Sequence, residues 1–170
     1  DLVTTVSWSW GKDLSEIGGR EVEVITNGFD SADFNDKASV EIKKFSILHT
    51  GSMNRDRNPS SFWKALSELC DSNTEFANDL EIELIGAIDF TVVEDLRRFK
   101  LTDKAKLTDR LNHDEVMLKQ QNSAILLLAL NDTPNISGVV PGKIFEYLKS
   151  NRPILTVGSV EGDSARIIKE

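Results

Sequence analysis

The sequence predicts an α/β fold: a doubly wound, parallel sheet with helices on both faces, in three layers. Three observations point to it. Ala124-Ile-Leu-Leu-Leu-Ala-Leu130 is an uninterrupted apolar run of strand length, as expected of a strand covered on both faces. Pro153-Ile-Leu-Thr-Val157 is a second such run, and a helix-length segment carrying Glu146 lies between the two. Upstream, β-branched or alternating runs take turns with segments of helical spacing, the order that places parallel strands side by side. Ligands of such sheets bind beyond the carboxyl ends of the strands, so the loops that follow them are where chemistry is sought.

Taken in order, residues 2–7 and 22–25 are short strands around a helical segment with Leu14 and Ile17 in phase, stopped by Gly18-Gly19. Residues 27–36 shift to turn formers and acids, marking a linker anchored by Phe29 and Phe34. Residues 45–49 form a strand, followed by a polar loop. A helix then starts with Asn58 as N-cap and Pro59 in its first position, with Phe62, Ala65, Leu66 and Leu69 on one face. Residues 80–85 alternate as a strand does and end at Gly86. Residues 91–99 carry Val92, Leu96 and Phe99 at helical spacing. A weak strand at 104–108 and a short helix at 114–121, capped by Asp114, lead to the central run at 124–130.

The totals exclude several classes. With 28 acidic and 20 basic residues the formal net charge is −8, which disfavours nonspecific attraction to nucleic acid or an anionic membrane. No apolar stretch is long enough to cross a bilayer, and no basic region leads into a signal core, so a cytoplasmic location is expected. The single cysteine, Cys70, has no partner for an internal disulfide and reads as a buried thiol. No Cys/His or acidic cluster has ligand spacing, so no metal is expected. Walker, Gly-x-Gly-x-x-Gly and Gly-x-Ser-x-Gly motifs do not occur. The chain opens without Met and closes at residues 167–170 in what reads as the first turn of a helix; both suggest a piece of a longer protein.

Two loops carry candidate chemistry. After the strand at 45–49, Gly51, Arg55 and Arg57 precede a capped helix start, where free N–H groups and an arginine suit a phosphate. The alternative is a solvated loop in which Arg55 and Arg57 bracket Asp56. Near Pro141, Gly142 lets the backbone approach a ligand closely, and Lys143 and Glu146 share one side of the helix that follows, opposite Ile144, Tyr147 and Leu148. A carboxylate there can accept from both hydroxyls of a ribose; the alternative is an exposed Lys143 and Glu146 pair. His113 sits among helix-cap residues and His49 at a strand end, and neither stands out as an acid or base. Trp8, Trp10 and Trp63 admit either a stacking surface or plain packing.

Five segments, in order, extend this reading. Asp1-Leu-Val-Thr-Thr-Val-Ser7, Val24-Ile-Thr-Asn-Gly-Phe-Asp30, Leu48-His-Thr-Gly-Ser52 with Arg57-Asn-Pro59, Pro141-Gly-Lys-Ile-Phe-Glu-Tyr147 and Arg152-Pro-Ile-Leu155 resemble retaining glycosyltransferases of the GT-B fold. The similarity is to the group 1, or family four, type, and bacterial enzymes of surface polysaccharide synthesis are its nearest flavour. The resemblance implies a Rossmann-like donor-binding domain at residues 29–170, truncated at its C-terminus. Residues 1–28 would then be the end of an otherwise missing N-terminal acceptor domain. It implies a nucleoside-diphosphate sugar as donor substrate, with no cofactor or nucleic acid. Any membrane association would belong to the absent part. Arg57 is the better candidate for the diphosphate and Arg55 the weaker; Lys143 would offset charge near the phosphates, and Gly51 and Gly142 would line the same site. Glu146 falls on the ribose-binding glutamate, and the base would pack near residues 108–112. The acid that the family often carries eight positions earlier is here Gly138, so the sugar contacts differ. No catalytic residue is assigned, and the fragment alone is expected to bind without turnover. A noncatalytic nucleotide-binding or scaffold module and, more remotely, a nucleotide-sugar epimerase share the architecture.

Overall fold

The computed structural model describes residues 1–30 and 42–170; Phe34 and most of the expected linker lie outside them. Five parallel strands form the main sheet: β3 (Phe45–Thr50), β4 (Leu80–Ile85), β5 (Ala105–Thr108), β6 (Ile125–Ala129) and β7 (Ile154–Val157). Their spatial order is β5-β4-β3-β6-β7. The chain thus winds outward from β3 in one direction and then, from β6, in the other. That reversal is the doubly wound arrangement expected of a Rossmann-like sheet. β3, not the more apolar β6, is the middle strand.

Side-chain alternation builds the two outer layers. On β3, Ile47 faces one side and Leu48 the other, and on β6 Leu127 opposes Leu126 and Leu128. The first face carries α2 (Ser60–Ser72) through Trp63 and Leu66, and α4 (Phe90–Arg98) through Val92 and Leu96. The second face carries α6 (Lys143–Lys149) through Ile144 and Tyr147, with Ile167 and Ile168 of α7 (Asp163–Lys169) at its margin. Each fully buried aliphatic side chain of this kind contributes about 1.5–3 kcal/mol relative to exposure.

Several local expectations shift. α2 is capped at Pro59, because Asn58 is otherwise engaged: its Oδ1 accepts from Trp63 Nε1 at 2.8 Å and its Nδ2 donates to Asp95 at 2.7 Å. The buried phase of α2 is Trp63 and Leu66, while Leu69 is 42% exposed. Phe62 packs against Trp63 with ring centroids 5.1 Å apart, so Trp63 is core. Cys70 is half-buried at the edge of that core, and burial pushes its thiol pKa up. α5 (His113–Gln121) begins one residue early, capped by Asn112 in a reciprocal box with Glu115 instead of by Asp114. A further helix, α3 (Thr74–Asp79), was not foreseen. Residues 167–170 close α7 instead of opening a helix.

The first residues form a separate strand, helix, strand unit: β1 (Thr4–Thr5) and β2 (Glu23–Val24) pair in parallel beside α1 (Trp8–Gly18). Gly19 ends α1 in the left-handed conformation that the Gly18-Gly19 pair foretold. Leu14 and Ile17 point away from the packed side, with Ile17 84% exposed. α1 meets the main sheet's helices at its start. Ser9 donates from its N–H to the Asp163 carboxylate at 2.8 Å and from its hydroxyl at 3.2 Å. The Arg166 guanidinium lies 4.1 Å from the centre of the Trp8 ring. Phe29, where the linker leaves the described residues, is half exposed beside the Lys149 ammonium.

Candidate functional site

Two turns at the carboxyl ends of neighbouring strands define the site. β3 ends at Thr50 and the chain turns at Gly51 with φ 98; β4 ends at Ile85 and turns at Gly86 with φ 125. Both angles lie where a β-carbon is strained. At Gly86 a β-carbon would also stand 2.5 Å from the Gly51 carbonyl oxygen, so the turns pack backbone on backbone. Beside them lies a cavity of about 320 Å³, lined by Gly51, Gly86, Leu111, His113, Lys143 and Glu146.

Lys143 opens α6, and its ammonium donates to the Thr50 carbonyl. A β-carbon on Gly51 would come within 2.9 Å of that ammonium, which gives Gly51 a second reason to be glycine. Burial, reinforced by the nearby Arg57 charge, lowers the Lys143 pKa from 10.5 to about 8, and Glu146 acts in the opposite direction. Arg57 ends the 3-10 turn Arg55–Arg57. It donates from Nε to Asn131 Oδ1 at 2.8 Å and from Nη1 to the Ser52 carbonyl at 2.9 Å. Burial lowers its pKa, but a guanidinium keeps its charge. Arg55 is exposed and its charge is felt by Asp89, away from this cluster.

Glu146, three residues after Lys143 on α6, is not the exposed ion-pair partner that spacing alone allowed. Its Oε2 accepts from Gln120 Nε2 at 3.3 Å, and the same nitrogen lies 3.4 Å from Thr50 Oγ1. The Tyr147 hydroxyl accepts from the Thr50 N–H at 3.2 Å and pairs with Thr50 Oγ1 at 3.2 Å. Burial pushes the Tyr147 pKa up to about 12. Ser150, just after α6, turns inward onto the Tyr147 carbonyl at 2.7 Å. Gly142 is exposed just before α6, near Asn27.

Three of the six residues singled out from sequence, Gly51, Lys143 and Glu146, line this cavity; Arg57 stands beside it, bonded to the Ser52 carbonyl and felt by Lys143, Gly142 borders it and Arg55 stands apart. Thr50, Gln120, Tyr147 and Asn131 were missed as polar contributors. Gln120 had a signal: it follows Met117 by three residues on the buried phase of α5, where an amide is out of place. Arg110 and Leu111, in the segment assigned to a base, do line the cavity. His49 is fully buried, Nδ1 bonds the Leu127 carbonyl at 3.0 Å, and burial with the Lys143 charge lowers its pKa to about 3. Such an imidazole stays neutral.

A larger space of about 700 Å³ lies along β4, β5 and α5, not at the strand ends. Two of the cations that line it, Lys106 and Lys119, pair with Glu83. Gly138, at the end of the 3-10 turn Ile136–Gly138, is covered by the Trp10 indole, and a β-carbon there would overlap the ring. Among the described residues no group of three or more His, Cys, Asp or Glu side chains could hold a metal ion, and no helix is long and apolar enough to cross a membrane.

No family model and no curated protein matches the chain. Solved structures do. WaaG, a glycosyltransferase involved in lipopolysaccharide biosynthesis, superposes with a TM-score of 0.73 at 10% identity, over 98% of this chain and 46% of its own. Alr3699/HepE from Anabaena, determined with UDP and glucose, gives 0.72 at 15% identity over 99% and 47%. The fold is that of a GT-B C-terminal half. The same half-fold underlies the N-terminal domain of trehalose-6-phosphate phosphatase from Candida albicans, with a TM-score of 0.74 at 12% identity over 99% and 46%. The chain spans less than half the length of each of these structures. Within the GT-B half, Gly51, Lys143 and Glu146 all stand at the strand ends, where a doubly wound sheet receives its ligand.

Proposed function

We propose that the chain is the donor-binding half of a glycosyltransferase, taking a nucleoside-diphosphate sugar whose sugar is passed to a carbohydrate or lipid-linked acceptor with retained stereochemistry. One observation carries this reading: a cation and a carboxylate, Lys143 and Glu146, line a strand-end cavity flanked by two glycine turns, with Arg57 close enough for its charge to be felt by Lys143. The cations face a diphosphate, and the carboxylate accepts from the ribose hydroxyls. The base lies along Arg110 and Leu111. As the bond to the sugar breaks, negative charge grows on the departing diphosphate, and fixed cations in a water-poor site stabilise it. Residues 29–170 form the donor domain in this reading, and residues 1–28 belong to the acceptor side. Surface polysaccharide synthesis in the cytoplasm is the setting it favours.

The likeness to a phosphatase's N-terminal domain favours a second reading, a nucleotide-binding or scaffold module without transfer activity. Calorimetry with UDP, GDP, ADP and their sugars, on the chain and on Glu146→Ala, tests the shared site. Binding of one nucleotide that weakens about tenfold in Glu146→Ala is expected, as for the loss of hydrogen bonds to a charged group. Binding unchanged by Glu146→Ala, with Arg57→Ala equally silent and folded, leaves both residues only their contacts within the chain and refutes the site. Donor consumption by the full-length protein then separates the transferase from the silent module.

A further inference from the structure

We propose that Gln120 is a positioning residue: held by Thr50, it aims the Glu146 carboxylate at a pair of adjacent hydroxyls and so makes the site prefer ribonucleotides to deoxyribonucleotides. The proposal rests on the donor-site reading above.

Gln120 is 0% exposed, on the buried phase of α5. Its amide nitrogen reaches Thr50 Oγ1 at 3.4 Å and Glu146 Oε2 at 3.3 Å. The orientation follows from chemistry, since the reversed amide would set its oxygen against a carboxylate. Thr50 is itself pinned, on both its N–H and its hydroxyl, by the buried Tyr147 hydroxyl. The donor is therefore clamped between the end of β3 and α6.

Stability does not account for this amide. Its Oε1 is buried with no hydrogen-bond partner among the described residues, a cost that an apolar residue of equal size would not carry. What the residue delivers instead is one N–H on Glu146. A carboxylate has about four acceptor positions, so one hydrogen bond fixes its plane and leaves room for two hydroxyls. An ammonium or guanidinium in place of Gln120 would neutralise the carboxylate; a neutral amide orients it and preserves its charge. No proton or electron pair is transferred in this role.

Calorimetry of the chain with UDP, ADP and GDP and their 2′-deoxy forms tests the proposal. Wild type is expected to prefer the ribo form of the nucleotide it binds by about tenfold, the worth of a hydrogen bond to a charged group. In Gln120→Met the ribo affinity falls and the deoxy affinity holds, so the preference collapses toward one, while thermal stability is unchanged or higher. Gln120→Glu keeps the shape but faces Glu146 with a second acid. Its ribo affinity is low at pH 7 and recovers toward pH 5 as the new carboxyl gains a proton to donate, a profile that wild type lacks. If Gln120→Met does not fold, this profile decides. Gln120→Met with the preference intact, or Gln120→Glu with a wild-type profile, overturns the proposal. If Glu146→Ala abolishes the preference and Gln120→Met keeps it, only the role of Gln120 falls. If Glu146→Ala also keeps it, or no nucleotide binds, the donor-site reading fails first and the proposal with it.

Discussion

Raising the pH above 8 should switch off the diphosphate end of the site, because Lys143, with a pKa of about 8, loses its charge there. A bound diphosphate favours the ammonium and raises that pKa, so affinity tracks the protonated fraction of the free protein. That fraction is about nine-tenths at pH 7 and about three-hundredths at pH 9.5. Affinity should therefore fall about 30-fold across this interval, or about 2 kcal/mol. Calorimetry at several pH values, in two buffers of different ionisation enthalpy, measures both the decline and the proton taken up, which approaches one per nucleotide near pH 9. Lys143→Met should bind weakly at every pH, without that slope. A wild-type affinity flat from pH 7 to 9.5, or a slope that Lys143→Met shares, refutes the reasoning. The same shift governs folding with the opposite sense. The folded pKa lies below the unfolded 10.5, so between about pH 8 and 10.5 the unfolded chain holds the extra proton and stability rises with pH. Relative to Lys143→Met, wild type should gain about 3 kcal/mol over that window, read from urea midpoints.

Two glycines give further tests. Gly86→Ala sets a β-carbon 2.5 Å from the Gly51 carbonyl at φ 125, so a stability loss of about 1–3 kcal/mol and weaker nucleotide binding should appear together in urea melts and calorimetry; loss of neither would mean that the two turns are not in contact. Gly138→Ala forces the Trp10 indole out, so tryptophan emission should shift to the red with a loss of about 1–3 kcal/mol. Combining it with Trp10→Ala should cost less than the sum of the single changes, and strict additivity would deny the contact.

What could be read from sequence was what depends on neighbours along the chain. The apolar run at β6, the alternation of β4 and the Val92 and Leu96 spacing of α4 each bury the side chains their period implies, whereas the run at β7 is only half-buried. Misreadings began where two partners compete for one group. Asn58 is a good cap by type, yet Trp63 Nε1 and Asp95 claim it. Leu14 and Ile17 have helical phase, but phase does not say which side of α1 has a partner. The six-residue α3 is too short for a period to show. At the site, spacing alone left Lys143 and Glu146 open to an exposed pair, and the resemblance singled out Glu146 and preferred Arg57 to Arg55. Gln120 and Thr50, 70 residues apart, meet only because the sheet order lays β3 beside α5 and α6.

The placement of Lys143 and Glu146 shows how the fold turns an ordinary helical pair into a site. Three residues apart on an exposed helix, opposite charges draw together and leave little for a ligand. Here each is claimed by a different group before they can pair: the Thr50 carbonyl takes the ammonium, and the Gln120 amide takes the carboxylate. Both claims depend on the last residue of β3, which offers its carbonyl to Lys143 and its hydroxyl to Gln120. One strand end thus holds a cation and an anion apart on the same helix face. A ligand with negative charge at one end and hydroxyls a few ångströms away meets both, whereas inorganic diphosphate alone uses only the first. Adding the nucleoside should therefore strengthen binding over diphosphate in wild type, and by a smaller factor in Glu146→Ala; an equal factor in both would mean that the carboxylate takes no part.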